Sequence, residues 1–182
     1  MPDVATTALK TIADLEQIPG ERWELVEGAL REAPRPGGRH AKISARITNP
    51  LSTFLWDNNI GEIYVEGGFV LQLNPDTVLG PDIAVVLKHR LLPEEEEVGL
   101  MHQAPDLVVE IMSPGDRASE VLDKVMRYLN AGVAIVWVVD PERRRIVVWN
   151  ADRTYQELHA SDSLEGGNLL PGFQLPLAQV FR

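Results

Sequence analysis

The sequence predicts a mixed α/β fold. Short segments rich in Val, Ile and Leu have the length of buried strands, and two longer segments have helical features. In chain order, these core segments are a helix over 40–56, strands over 61–73, 83–87 and 107–111, a helix over 117–131 and a strand over 134–139. Helices alternating with short strands are typical of a domain in which helices pack on a mixed sheet.

The composition restricts the class of protein. With 182 residues, of which 45% are hydrophobic and 24% charged, the chain fits one globular domain over residues 1–182. The absence of cysteine excludes disulfides, zinc-thiolate sites and cysteine nucleophiles, and it fits a reducing compartment. No secretion signal and no apolar run of about 20 residues stands out. We therefore expect a soluble, cytoplasmic protein with no membrane partner.

The net charge of −10 opposes non-specific binding to nucleic acid, because contacts with phosphates depend on Lys and Arg. Any groove for DNA must therefore be locally basic. Part of the acidity is concentrated in the run from Glu94 to Glu97, which is typical of a solvated loop because consecutive like charges repel.

The first half of the chain contains clear turn and helix signals. Residues 11–17 predict a short helix stopped by Pro19-Gly20, and residues 22–32 predict a hairpin around Gly28. A Pro/Gly/Arg loop follows over 34–39. The helix over 40–56 has apolar residues at every fourth position, but Pro50 in its interior is expected to kink or divide it.

The second half contains the remaining core elements. We expect residues 61–73 to form one strand or a strand pair, with a bulge or a bend at Gly67-Gly68, and a turn over 74–76. The Ser113-Pro-Gly-Asp116 segment predicts a helix start, and Gly132 predicts the end of that helix. Residues 145–150 and 154–158 predict a hairpin, and the tail from Leu169 predicts irregular packing and a final turn.

Two carboxylates in the predicted core indicate a functional site. Asp82 opens one apolar strand and Glu110 interrupts another. Removing an ionised carboxylate from water costs several kcal/mol or more unless a cation or hydrogen-bond donors accompany it. The next helix carries Lys124, and the set of two acids and a lysine suits a metal site that cleaves phosphodiester bonds.

The periodicity of the strand and helix gives these residues partners. In the strand, Asp106 and Glu110 share one face with Val108 and Met112, so Asp106 is a rival metal ligand, although its position after Pro105 suits a turn. On the helix, Lys124 and Tyr128 lie one turn apart. They flank a predicted apolar arc formed by Ala118, Leu122, Val125 and Leu129.

The residues alone also allow structural explanations. Asp82 after a proline is often only a turn cap, and Glu110 can pair with an arginine. Lys124 by itself is typical of a solvated helix position, and Tyr128 of a packed residue with a hydrogen bond nearby. The spacing of the whole set favours the functional interpretation.

Several segments together resemble one family. They are Trp23-Glu-Leu-Val-Glu-Gly28, Pro81-Asp82, Leu107-Val-Val-Glu-Ile-Met-Ser-Pro114, Asp123-Lys124-x-x-x-Tyr128, Ala131-Gly-Val133 and Val136-Trp-Val-Val-Asp-Pro141. In this order the chain resembles the Uma2 family (DUF820) of the PD-(D/E)XK nuclease superfamily from about residue 11 to residue 181. The resemblance implies a restriction-endonuclease-like αβββαβ core with added N-terminal and C-terminal hairpins.

The resemblance also implies roles for particular residues. Asp82 and Glu110 become the acidic metal ligands, and Glu24 becomes a third catalytic carboxylate. The superfamily's simplest pattern has a lysine two residues after the second acid, where this chain has Met112. Lys124 on the following helix matches the displaced lysine of Uma2-like proteins. His40 also matches a family position, without an evident role.

The predicted function is therefore hydrolysis of DNA phosphodiester bonds by an endonuclease that depends on Mg²⁺ or Mn²⁺. A homodimer is expected, since two sites suit the cleavage of two strands. Two alternatives remain open at this stage. One is a catalytically inactive module of the same fold that binds or oligomerises, and the other is a hydrolase of another phosphoester, such as RNA or a nucleotide.

Overall fold

The fold is seen in a computed structural model, which describes residues 8–18, 22–33 and 35–182. In these ranges a six-stranded mixed sheet lies between two helices, and a smaller four-stranded sheet packs beside it. The predicted mixed α/β class is confirmed.

The chain begins with a short helix and a hairpin, as predicted. Helix α1 (Ile12–Glu16) starts with a capping box, in which the Thr11 side chain accepts a hydrogen bond from the Asp14 amide and the Asp14 side chain accepts one from the Thr11 amide. Strands β1 (Trp23–Val26) and β2 (Ala29–Glu32) pair around a turn that contains Gly28 at φ +77°. The predicted stop at Pro19-Gly20 lies outside the described residues.

Helix α2 (Gly38–Asn58) forms the long apolar helix of the prediction, but Pro50 does not divide it. Its buried stripe, Ile43, Ile47, Leu51 and Leu55, continues on both sides of the proline. Burying each of these side chains contributes about 1.5–3 kcal/mol, which together exceeds the roughly 3 kcal/mol that an internal proline costs a helix. Of the two predicted effects of Pro50, a kink or a division, division of the helix was therefore wrong.

The predicted strand segment over 61–73 forms two strands that belong to different sheets. β3 (Gly61–Val65) joins the large sheet, whereas β4 (Phe69–Gln72) joins the small one. The bend at Gly67-Gly68 carries the chain from one sheet to the other. A strand that was not predicted, β5 (Thr77–Leu79), completes the small sheet in the order β2-β1-β5-β4.

The large sheet contains the core strands. After β6 (Ile83–Leu87) and β7 (Leu107–Ile111), helix α3 (Ala118–Asn130) crosses over to β8 (Ile135–Asp140), which is parallel to β7. The predicted hairpin follows as β9 (Arg145–Asn150) and β10 (Tyr155–His159). The order β10-β9-β8-β7-β6-β3 makes β7 and β8 central strands, so their almost continuous apolar sequences are buried on both faces.

Helix α3 begins and ends within one residue of the predicted bounds, but the role of Asp116 and the buried face of the helix differ from the prediction. The Asp116 carboxylate accepts a hydrogen bond from the Ser113 amide at 2.7 Å, so it closes a turn before the helix instead of capping it. The buried residues of α3 are Val125, Tyr128 and Leu129, while Leu122 is 43% exposed. The helix therefore packs on the sheet with the face that contains Tyr128, and not with the face that contains Leu122. Gly132, at φ +95°, ends the helix as predicted.

The tail is regular, contrary to the prediction. Strands β11 (Ser163–Gly166) and β12 (Leu170–Pro176) form a hairpin, and α4 (Leu177–Val180) follows. Pro171 and Gly172 obscured the strand in the sequence, but Leu164, Phe173 and Leu175 alternate inward and pack on the α2 side of the core.

The run Glu94–Glu96 is a short, exposed 3₁₀ turn, in agreement with a solvated loop. Within the described ranges, no helix combines the length and hydrophobicity that crossing a membrane requires.

Candidate active site

The pairing of β6 with β7 brings the two predicted acids to the same end of the strands in the large sheet. Asp82 directly precedes β6, and Glu110 lies near the end of β7, which runs antiparallel to β6. The Ile111 amide donates a hydrogen bond to Asp82 Oδ2 at 2.7 Å. A backbone donor therefore holds the Asp82 carboxylate beside Glu110, although 27 residues separate the two acids in the chain.

Helix α3 presents two side chains to Glu110. The Tyr128 hydroxyl donates to Glu110 Oε1 at 2.6 Å, and Lys124 Nζ lies 3.8 Å from Glu110 Oε2. The two helix residues are four positions apart and therefore on one face of α3. Glu110 thus meets a neutral donor at one oxygen and a cation near the other.

The small sheet contributes the third acid. Glu24 on β1 accepts a hydrogen bond from Lys124 Nζ at 2.7 Å and from the Gly80 amide at 3.3 Å, both at Oε1. The side chain of Glu24 is only 8% exposed, while that of Lys124 is 32% exposed. The lysine therefore bridges the small sheet and the large sheet at the site.

His40 on α2 approaches the site from the opposite side of the sheet. Its Nε2 lies 3.1 Å from Asp82 Oδ2, so it shares this oxygen with the Ile111 amide. Its Nδ1 is buried and has no hydrogen-bond partner among the described residues. The hydrogen bond with Asp82 raises the pKa of His40, against the effect of burial.

Burial and like charge control the titration of the cluster. Burial raises the pKa of Glu110 to about 7, with Lys124 opposing the change and Asp82 adding to it. Burial lowers the pKa of Lys124, but the carboxylates of Glu110 and Glu24 outweigh this effect and raise it overall. Burial, followed by the charge of Glu110, raises the pKa of Tyr128 well above its usual range.

Asp106 does not join this cluster. It lies at the other end of β7, about four residues or 13 Å along the strand from Glu110. Its carboxylate accepts hydrogen bonds from the Leu87 amide at 2.8 Å and from the Arg90 guanidinium at 2.7 Å. Asp106 therefore stabilises the start of β7, as its position after Pro105 suggested.

Two backbone groups at the site had no signal in the sequence. The amides of Ile111 and Gly80 hold Asp82 and Glu24. Such donors are independent of residue type, so only the pairing of strands reveals them. Both acids thus have fixed positions before any ligand binds.

The donor set fits a hard divalent cation. No three His, Asp or Glu side chains in the described ranges are arranged to hold a metal ion unaided. Mg²⁺, however, is commonly held by one or two carboxylates, with water and substrate phosphate as its other ligands. Asp82 and Glu110 provide two carboxylates at the same end of the two strands, and no hydrogen bond to Asp82 Oδ1 is present within the described part of the chain. These oxygens are the ligands that would hold the ion.

A cleft of about 240 Å³ lies between the small sheet and α3. Glu24, Glu110 and Lys124 line its floor. Charged residues from β2, the loop before α3 and α3 itself form its walls: Arg31, Glu32, Asp116, Glu120, Asp123 and Arg127. The walls are therefore predominantly acidic.

Comparison with known proteins places this arrangement in a family. The family model of Uma2, described as "Putative restriction endonuclease", matches residues 12–178. The chain belongs to the Uma2 family. The matched region contains every residue of the candidate site, so the family resemblance found in the sequence is confirmed.

Solved structures agree with this assignment at the level of the fold. A crystal structure of a putative nuclease belonging to DUF820 from Anabaena variabilis ATCC 29413 superimposes on this Uma2 chain with a TM-score of 0.84. The two proteins are 21% identical, and the match covers 94% of this chain and 97% of the other. The nuclease-like fold is therefore shared. A search among curated proteins found no match.

Proposed function

We propose that this Uma2 protein is a metal-dependent endonuclease that hydrolyses DNA phosphodiester bonds. The observation that carries the proposal is the convergence of three separate elements. The Ile111 amide holds Asp82 beside Glu110, and Lys124 of α3 lies 3.8 Å from Glu110 in the cleft that both line. Buried acids beside a lysine are costly to desolvate, and a metal-assisted reaction gives such a cluster a function.

Asp82 and Glu110 would hold Mg²⁺ or Mn²⁺. When bound, such an ion polarises a phosphoryl oxygen and lowers the pKa of a coordinated water. The hydrogen bonds from Ile111 and Tyr128 keep the two carboxylates oriented, so little reorganisation precedes binding.

Lys124 is the cation nearest to the reacting groups. Its ammonium orients the attacking water and stabilises the negative charge that develops on the phosphoryl oxygens. Glu24 holds this ammonium in place through its 2.7 Å contact. The water oxygen forms a new bond to phosphorus and releases a proton to solvent, the bond between phosphorus and the leaving oxygen breaks, and the leaving oxygen takes up a proton from solvent.

The partners in this proposal are DNA and a second copy of the chain. Cleavage of both strands of a duplex requires two reactions, which a symmetric dimer supplies with two equivalent sites. The acidic walls of the cleft favour the alternative of an inactive module with the same fold. Activity measurements separate the two functions.

The test is nicking of supercoiled plasmid at low salt with Mg²⁺ or Mn²⁺, compared with EDTA. We expect metal-dependent cleavage that falls roughly 100-fold or more in Asp82→Asn, Glu110→Gln and Lys124→Met, because each variant removes a ligand or charge used in the transition state. Asp57→Asn, near the end of α2, and Lys88→Ala, directly after β6, change exposed charges at the ends of these elements far from the site and should retain activity.

Circular dichroism checks that the variants are folded. Absence of cleavage of duplex DNA, single-stranded DNA and RNA by the wild type, together with no divalent-metal binding by calorimetry, would establish the inactive module instead. Cleavage of RNA or nucleotides alone would identify a different phosphoester as the substrate.

A further inference from the structure

A second cleft lies on the α2 side of the large sheet and has the opposite charge. It has a volume of about 340 Å³ and is formed by the start of α2, the turn after β8 and the C-terminal segment. Five basic residues line this basic cleft: Arg39, Lys42, Arg46, Arg144 and Arg182. Its one acidic lining residue is Glu142. In a chain of net charge −10, this concentration of positive charge is a marked local exception.

Three of the five basic residues of this cleft are available for a ligand. Arg39, Lys42 and Arg144 are exposed, and none of them forms a salt bridge with another described residue. Arg46 donates to the carbonyls of Val180 and Arg182, at 3.0 and 2.8 Å, and thereby fixes one wall. Neighbouring cations repel one another until an anion binds between them.

The start of α2 supplies a second feature that favours anions. Gly37 at the N-cap provides no side-chain cap, and the first turn of this 21-residue helix contains no acidic residue. The unpaired amides and the positive end of the helix dipole attract phosphate. Arg39, Lys42 and Arg46 are spaced by three and four positions, so they extend from the same side of the helix.

The basic cleft is close to the reacting groups. His40, which contacts Asp82, lies between Arg39 and Lys42 in the first turns of α2. Arg144 lies in the turn after β8, whose carboxyl end is next to that of β7, where Glu110 lies. Arg39 of the basic cleft is therefore the chain neighbour of a residue that contacts a candidate metal ligand.

The opposite side of the site repels a nucleic acid. Acidic side chains line the walls near α3, namely Glu32, Asp116, Glu120 and Asp123. Duplex DNA carries one negative charge per about 1.7 Å of its axis, so a path over this side places phosphates against carboxylates. A nucleic-acid strand that leaves the site over the α2 side avoids this repulsion.

We propose that the basic cleft binds backbone phosphates of the nucleic acid next to the phosphate that is cleaved, and that it sets the path of the strand along α2. This inference rests on the proposed nuclease function and adds to it the surface that holds the substrate. It also explains how a strongly acidic protein binds a polyanion.

Matched double variants test the proposal by binding measurements in EDTA, where cleavage does not occur. The test variant is Lys42→Ala with Arg144→Asn, and the control is Lys88→Ala with Arg153→Asn. Arg144 and Arg153 both lie in hairpin turns with positive φ, at +51° and +66°, a conformation that asparagine tolerates. Fluorescence anisotropy with a labelled 20-base-pair duplex and a 20-nucleotide single strand, between 25 and 200 mM KCl, gives affinity and salt dependence.

We expect the test variant to bind at least about tenfold more weakly at low salt. Its slope of log K against log[KCl] should be smaller by about 0.9 for each duplex phosphate that the variant no longer neutralises. The control should match the wild type. Equal affinity and slope in the test variant and wild type would overturn the inference, even where the wild type cleaves DNA.

The same measurements separate this inference from the proposed function. Binding through the basic cleft without metal-dependent cleavage supports the inference and contradicts the nuclease function. A wild-type protein that binds neither duplex nor single strand at 25 mM KCl overturns the inference.

Discussion

At the scale of single residues, Glu110 has the most costly environment in the site. Its side chain is 13% exposed and lies near the charges of Lys124 and Asp82. Such a carboxylate is stable only because Tyr128 and Lys124 accompany it, and its pKa is raised to about 7 all the same. The residue therefore reduces the stability of the fold at neutral pH, a cost that its proposed role as a metal ligand would explain.

This raised pKa predicts a pH-dependent effect of Glu110→Gln in the metal-free protein. The ordinary pKa is 4.5 and the folded value is about 7, so the folded state binds a proton more tightly than the unfolded state between these values. The Glu110 contribution to stability therefore decreases as pH rises from 4.5 to 7 and is constant above that range. Glutamine is uncharged, so it avoids the free-energy cost of burying a charge at this position at any pH.

Urea unfolding of both proteins at pH 5 and pH 8 measures the effect. We expect Glu110→Gln to be more stable than the wild type at pH 8 by about 2–4 kcal/mol, and the difference to become small toward pH 4.5. Glu120→Gln on the exposed face of α3 controls for the loss of one negative charge. A variant that is less stable than the wild type at pH 8 would contradict the assigned environment.

At the scale of elements, α3 determines the geometry of the site. One helix presents Lys124 and Tyr128 to Glu110. The helix is held against the sheet by its buried residues Val125, Tyr128 and Leu129, and this packing positions the Lys124 and Tyr128 side chains relative to Glu110. The helix ends at Gly132, where φ of +95° allows the chain to turn into β8.

Gly132→Ala tests this helix end. A Cβ at Gly132 meets no atom within 4 Å, so any cost comes from the left-handed backbone and not from a clash. We expect a loss of about 1 kcal/mol in the free energy of unfolding, measured by urea denaturation.

Gly115→Ala is the matched control, since its Cβ also meets nothing within 4 Å and its φ is not positive. This control should be neutral or slightly stabilising. Equal effects of the two substitutions would show that the conformation at Gly132 is not what ends the helix.

At the scale of the whole molecule, the site exists only where the small sheet meets the large one. Glu24 comes from the small sheet, and Lys124 bridges from it to Glu110. Val26 and Leu79 of the small sheet pack in the same cluster as Val125 and Tyr128 of α3. Hydrophobic packing between the layers therefore positions the charged groups.

Leu79→Ala tests this contact between layers. Leu79 is fully buried, and its truncation removes packing and leaves a cavity. We expect a loss of about 2–5 kcal/mol in the free energy of unfolding, measured by chemical denaturation.

Leu73→Ala, at a position 60% exposed, should change stability by less than about 0.5 kcal/mol. If Leu79→Ala unfolded no more easily than this control, the small sheet would not depend on its packing against α3.

The sequence by itself determined the core elements, because their signals are local. Buried strands have continuous apolar runs, α2 has its four-residue stripe, and Gly132 has the chemistry of a helix end. It also indicated Asp82, Glu110 and Lys124 as a set, since charges in apolar segments require compensation. Regular structure in the tail was missed because Pro171 and Gly172 interrupt its pattern.

Only the tertiary structure decided which charges meet. Asp106 and Glu110 share a strand face in the sequence, but they lie at opposite ends of β7. The pairing of β6 with β7 places Asp82 beside Glu110 instead. The contact of Glu24 with Lys124 joins residues 100 positions apart. Such contacts depend on how layers pack, and packing is a property of the whole chain that no local pattern records.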